Sequence, residues 1–162
     1  MIIKIIIILI MSAILQKRLL REFDNLMKDK NKIPGLKVSV LNNNVCYYLM
    51  ELNGPVDTPY EGGLFKLELF YTSDYPNTPP KVRFLNKIYH PNVDGWGRIC
   101  LDILKDKWSP IIQMRTLGLS LISLLSSPNL DDPLDANVAQ HFRENPVDAN
   151  NKAKEWTKLF AN

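Results

Sequence analysis

Cysteine is scarce in this sequence: Cys46 and Cys100 are the only two among 162 residues, far apart and in dissimilar surroundings. That excludes a disulfide framework and any CxxC redox or zinc motif, and it points to an intracellular protein. Histidine is as scarce; His90 and His141 beside the two cysteines fit no zinc spacing, so no metal and no cofactor is expected. Charge of one sign is lacking too. The 20 Lys and Arg against 17 Asp and Glu leave a net charge of +3. This is a mixed surface rather than the clustered basic footprint of a nucleic-acid binder, and nucleic acid is excluded as an expected partner.

No apolar run reaches the roughly 20 residues that a membrane-spanning helix needs. The most apolar stretch, residues 1–10, is Met1 followed by isoleucines, Lys4 and Leu9, and it stays too short even when extended through Leu15. Its basic start and short apolar core resemble a signal peptide, but no small-residue cleavage site follows. Residues 1–10 are expected to be an apolar extension from a mis-assigned translation, with Met11-Ser12 the true start. If made, that extension is a β-prone, exposed liability unless something covers it, with membrane tethering the less favoured alternative.

A hydrophobic content of 46% in a chain of this length suits one domain, residues 11–162, with a real core. There is no internal repeat and no low-complexity linker. Ile14, Leu15, Leu19, Leu20, Phe23, Leu26 and Met27 recur at helical spacing with charged residues between them, which predicts an amphipathic first helix ended by Pro34-Gly35. Strand-like stretches follow at 36–41, 45–52, 64–71 and 81–85, with the asparagines 42–44 as a turn, and they suggest an antiparallel meander. Helical patterns return at 114–125, 133–143 and 146–160, the last two opening on proline. Helix, sheet, then helices predicts an α+β fold.

Between His90 and Leu104 both periodicities fail, and Pro91, Gly95 and Gly97 break the backbone in quick succession. The segment is a loop that carries Cys100. A thiolate is the strongest nucleophile among ordinary side chains, and even at a pKa of about 8.5 a few per cent is ionised at neutral pH. Asn92 lies far enough upstream to fold back over Cys100, where its carboxamide N–H could stabilise the oxyanion formed when an amine attacks a thioester.

His90-Pro91-Asn92, then Gly97-Arg98-Ile99-Cys100-Leu101-Asp102-Ile103-Leu104 and Trp108-Ser109-Pro110, resembles the active-site signature of ubiquitin-conjugating enzymes. The likeness extends from Pro34-Gly35 through Tyr60-Glu61-Gly62-Gly63, Tyr75-Pro76 and Pro79-Pro80-Lys81-Val82 to Pro128-Asn129, Asp131-Asp132-Pro133-Leu134 and Glu155-Trp156-Thr157. It covers nearly everything after the first dozen residues, with several motifs in the family's order.

The resemblance implies that Cys100 receives ubiquitin from an activating enzyme as a thioester and passes it to a lysine amine or another cysteine. ATP is not expected to bind this chain. Cys46 matches no family active-site position and reads as packing within a strand. Asn92 carries over as oxyanion stabiliser or loop organiser, and His90 as a core histidine that shapes the active-site loop. Asp132 is the candidate that positions and helps deprotonate the incoming amine, with Asp131 capping the helix near Pro133. Asp102 is a second candidate, with a surface salt bridge as its alternative. Arg18 and Arg21, Tyr75-Pro76, Ser109 and Pro110 match positions where RING-type ubiquitin ligases dock, while Trp108 reads as packing.

Within the family, the stretches 65–70, 87–94 and 104–108 look most like the branch that pairs with a catalytically inactive conjugating-enzyme variant and builds signalling-type ubiquitin chains. Glu68, Phe70 and Arg83 match positions that grip that partner, with core packing as the alternative for Phe70. Asn77, Trp96, Ile111 and a longer connection through Lys32 depart from the branch, which bears on ligase and partner choice rather than on catalysis. Two other readings are a general ubiquitin-conjugating enzyme without an obligate partner and a conjugating enzyme for another ubiquitin-like modifier. A non-catalytic module of the same fold would lack the cysteine. The expected compartments are cytoplasm and nucleus.

Overall fold

The structure, a computed structural model, describes the backbone from Ile2 to Asn162 and side chains from Ser12 onward. The reading of residues 1–10 as an apolar extension concerns side chains outside those described. Helix α1 spans Ile2–Lys28, longer than the 14–27 expected, because no glycine or proline interrupts those residues. Its inward stripe is Leu15, Leu19 and Glu22, with Phe23 and Leu26 packed against the core. Ile14, Leu20 and Met27, which share the apolar periodicity, are exposed. Among the described residues no helix is long and apolar enough to cross a membrane.

Four strands follow: β1 Leu36–Val40, β2 Tyr47–Asn53, β3 Leu64–Phe70 and β4 Lys81–Phe84. They form one sheet in the order β1-β2-β3-β4, antiparallel throughout. Alternation sets the register, with Met50 opposite Leu67 and Tyr48 opposite Leu69. Tyr48, Met50, Leu52, Phe65, Leu67 and Leu69 are fully buried, each of the aliphatic side chains contributing roughly 1.5–3 kcal/mol. A one-residue slip would turn all of them outward. Asn42 and Asn43 adopt φ of 53° and 52° in the β1–β2 turn, a conformation asparagine tolerates. Cys46 precedes β2 in this turn rather than lying in a strand, its N–H donating to Asn44 Oδ1, and it packs against the core.

Helix α2, Met114–Ser126, lays Met114, Leu117, Leu121 and Leu125 over the sheet. Helix α3 is Ala136–Glu144 and α4 is Pro146–Phe160. The expected start of α3 at Pro133 is corrected. Asp135 is the cap, accepting from the N–H groups of Asn137 and Val138, whereas Asp131 is exposed and lies 3.6 Å from Arg143. The reason lies in the backbone: the N–H groups of Leu134 and Asp135 both donate to Pro91 O at 2.9 Å. Residues before the cap are thus tied to the loop that carries Cys100. Helix α4 begins on Pro146 as expected, where the missing N–H has no helical partner to lose. The α+β architecture stands, with α1 and α2 against one face of the meander and α3–α4 paired beyond the loop that follows β4.

Candidate active site

After β4 the chain leaves the sheet and folds back onto it. Phe84 N–H donates to Gly97 O at 2.8 Å, and isolated bridges pair Arg83 with Arg98 and Val93 with Ile99. Gly97 is required for the close approach. Its φ is +80°, and a Cβ there would lie 2.1 Å from Phe84 O. Asp94 tightens the turn, with Oδ1 accepting from the N–H groups of Trp96 and Arg98 and Oδ2 from Arg98 Nε at 2.6 Å. Cys100 emerges on the returning limb, where its N–H donates to Asn92 O at 2.8 Å.

Two fully buried polar side chains hold the outgoing limb. His90 Nδ1 accepts from Asn92 N–H at 3.0 Å, which leaves the ring proton on Nε2, 3.1 Å from Leu124 O. Burial pushes the imidazole down to about 4, with the Leu124 carbonyl opposing, so His90 is neutral at physiological pH. Asn92 Nδ2 donates to Asn129 O at 2.7 Å and to Asp132 O at 3.0 Å, and Oδ1 accepts from Asn129 N–H at 2.9 Å. Both amide protons are engaged. Asn92 thus joins the His90–Cys100 loop to the 129–132 segment.

That segment brings Asp132 to the sulfur. Cys100 Sγ donates to Asp132 Oδ2 at 3.1 Å, while Lys105 Nζ donates to Sγ at 2.9 Å and lies 3.7 Å from Asp132 Oδ2. Burial pushes the Cys100 thiol up, Lys105 pulls it down, and Asp132 pushes it up. Cys100 is only 6% exposed, yet its two partners are open to solvent, so the sulfur sits at the floor of an accessible notch. A nucleophile, a carboxylate and an ammonium within mutual reach can support acyl transfer without a histidine base.

Asp102 stands apart. Its Oδ2 pairs with Lys107 Nζ at 2.6 Å and its Oδ1 accepts from Ile103 N–H, the first residue after it in a short 3-10 helix, Asp102–Leu104. Lys107 holds its carboxyl below the usual carboxylate range. This is the surface-pair alternative. Lys105, which the sequence includes only within the branch-like stretch 104–108, carries no expected role of its own, because residue type does not set it beside Cys100. Only the 3-10 turn folds Lys105 back five residues onto Cys100.

Two further surfaces flank the notch. Arg18 donates to Pro110 O and lies 2.9 Å from Glu22, with its guanidinium 5.1 Å from the Tyr75 ring centroid. Trp108 Nε1 donates to Pro76 O at 2.9 Å, so Trp108 packs as expected. Arg18, Tyr75-Pro76 and Pro110 are brought together, with Ser109 half-buried beside them and Arg21 exposed further along α1. On the outer face of the sheet, Glu68 accepts from both Arg83 and Tyr47, and the Tyr47 and Phe70 rings meet edge-on at 6.3 Å. Phe70 is 41% exposed, so it belongs to this surface rather than to the core. Trp96 and Ile111 are also exposed.

Residues 18–157 match the family model described as "Ubiquitin-conjugating enzyme". The chain is 50% identical over 147 residues to "Ubiquitin-conjugating enzyme E2 N" of Drosophila melanogaster, covering 91% of this chain and 96% of that one. It is 49% identical over 149 residues to "Ubiquitin-conjugating enzyme E2 13" of Saccharomyces cerevisiae, covering 92% and 96%. Among solved structures, the E2 domain of a Toxoplasma gondii ubiquitin conjugating enzyme superposes with a TM-score of 0.83 at 40% identity, covering 91% of this chain and 99% of that one.

Proposed function

The chain belongs to the ubiquitin-conjugating enzyme family, and from this we propose that Cys100 carries ubiquitin as a thioester and delivers it to lysine amines. The observation that carries the reading is the Cys100–Asp132 contact at 3.1 Å in a loop braced by Asn92 and His90. Ubiquitin arrives from the activating enzyme by exchange of one thioester for another: the Cys100 sulfur bonds the ubiquitin carbonyl and the donor sulfur leaves. An acceptor lysine then attacks. Its unperturbed pKa is about 10.4, so it must shed a proton, and the Asp132 carboxylate beside the sulfur is placed to orient the amine and take that proton. Asn92 keeps Asp132 in position through its main-chain oxygen.

The product assigned is the signalling-type polyubiquitin chain, built with an inactive conjugating-enzyme variant docked on Tyr47, Glu68, Phe70 and Arg83. Half-exposed aromatic surface beside a satisfied ion pair supports such docking, and the similarity to the E2 N and E2 13 proteins agrees with it. RING-type ligases are assigned to the Arg18–Pro110 face. Cytoplasm and nucleus are the assigned compartments, since both free thiols survive in a reducing environment.

The test is chain assembly with activating enzyme, ubiquitin and ATP, with and without the inactive variant. Unanchored chains of a single linkage are expected only when the variant is present, and Phe70→Ala is expected to lower their yield about tenfold, a loss of about 1.4 kcal/mol at an interface anchor. Abundant mixed-linkage chains without the variant would contradict the partner assignment and favour a general conjugating enzyme.

A further inference from the structure

Among the described residues, Lys105 is the one charged side chain in contact with Cys100 Sγ that the roles above leave without work. The titratable groups facing the sulfur are Lys105, just past the 3-10 helix, and Asp132, from the segment before α3. They act on it in opposite senses. We propose that the Lys105 ammonium is a catalytic residue that stabilises the Cys100 thiolate twice, as it attacks the incoming thioester and again as it leaves during transfer to lysine. The assignment rests on the reading that Cys100 forms the ubiquitin thioester.

In charging, the Cys100 S–H proton passes to Asp132 or to water, the Sγ–carbonyl bond forms, the donor's carbon–sulfur bond breaks, and the donor departs as a thiolate. In discharge, an amine nitrogen bonds the carbonyl carbon, the carbon–Sγ bond breaks, and Sγ takes the electron pair. The nitrogen's extra proton goes to Asp132 or to water. Negative charge therefore appears on Sγ at the start of the first step and at the end of the second. At both moments an ammonium 2.9 Å away, over a sulfur in a largely buried notch, favours that charge.

A lysine so near a thioester is also a potential acceptor, which Lys105 is not while it stays protonated. The hydrogen bond to Cys100 raises the Lys105 pKa, with Asp132 adding to it, and an ammonium has no lone pair to attack with. Once Cys100 is acylated and its sulfur neutral, Asp132 at 3.7 Å remains to hold the proton.

The test needs no ubiquitin at first: the rate of Cys100 alkylation by iodoacetamide against pH, in a Cys46→Ala background. Lys105→Ala is expected to move the midpoint up by roughly half to one pH unit, a three- to tenfold loss of thiolate below it. Lys105→Arg should restore the midpoint, and Asp132→Asn should move it down. The midpoint is the proper readout because a higher-pKa thiolate is intrinsically more nucleophilic and masks part of the rate loss at one pH. With ubiquitin, Lys105→Ala is expected to slow both charging and discharge to free lysine, and Asp132→Asn discharge alone. A Lys105→Ala midpoint equal to that of the parent, or a shift that Lys105→Arg fails to restore, overturns the assignment. A parent protein that takes up no ubiquitin while the midpoints move as stated would instead sink the thioester reading and leave the Lys105–thiolate contact standing.

Discussion

A histidine ten residues before a nucleophilic cysteine invites the role of general base, and His90 is unable to take it. It has no exposed surface, and both ring nitrogens are committed, one to Asn92 N–H and one to Leu124 O. Its chemistry appears in stability instead. Burial holds the folded-state imidazole at about 4 against 6.5 unfolded, so below pH 6.5 the unfolded chain binds a proton that the folded one refuses. The stabilisation is complete above pH 6.5 and is lost as pH falls toward 4. Urea denaturation should find the stability advantage of the parent over His90→Asn unchanged between pH 8 and 7 and smaller by about 2 kcal/mol at pH 5; an advantage constant down to pH 5 would contradict the buried neutral ring. Lys105 illustrates the converse: its contact with Cys100 depends on a single turn of backbone that residue type does not reveal.

At the scale of elements, the active-site loop is a folded-back ribbon whose attachment to β4 turns on Gly97. Gly97→Ala combines a left-handed φ with a clash against Phe84 O and is expected to cost about 1–3 kcal/mol. Gly95, with nothing within 4 Å of an added Cβ, should accept alanine within about 0.5 kcal/mol. Equal denaturation midpoints for the two variants would refute the close approach. The four strands were legible from alternation because one face of each is buried and the other wet, as in β3, where Phe65, Leu67 and Leu69 point in and Glu68 and Phe70 point out. Helix α4 was legible from Pro146. The start of α3 was not, because Asp131, Asp132 and Asp135 are equally good caps by residue type. The choice among them is made by Pro91 O, which captures the backbone of Leu134 and Asp135 from forty-odd residues away in sequence. Cys100, Asn92, His90 and Asp132 are named together by family resemblance, and the structure joins them by hydrogen bonds that the sequence does not show.

Across the whole molecule, buried Glu22 joins three parts that sequence separates. Its carboxylate accepts from Arg18, from the Tyr75 hydroxyl at 2.6 Å and from Met114 N–H at 3.2 Å. Removing one member of such a buried, charge-assisted network leaves the others unpaired. The Arg18–Pro110 surface is therefore pre-formed by α1, the Tyr75-Pro76 loop and the start of α2, while the Tyr47–Phe70 surface lies on the outside of the sheet. The thiol notch has its own scaffold, so charging should depend on Cys100 alone among the cysteines. The decisive measurement is incubation with ubiquitin, activating enzyme and ATP, followed by non-reducing separation of the parent, Cys100→Ser and Cys46→Ala. The parent and Cys46→Ala are expected to give an adduct that a reducing agent removes, and Cys100→Ser a reductant-stable ester or no adduct. No adduct on the parent while a reference conjugating enzyme charges beside it, or a reductant-sensitive adduct surviving in Cys100→Ser, would contradict the assignment of Cys100 as the ubiquitin carrier.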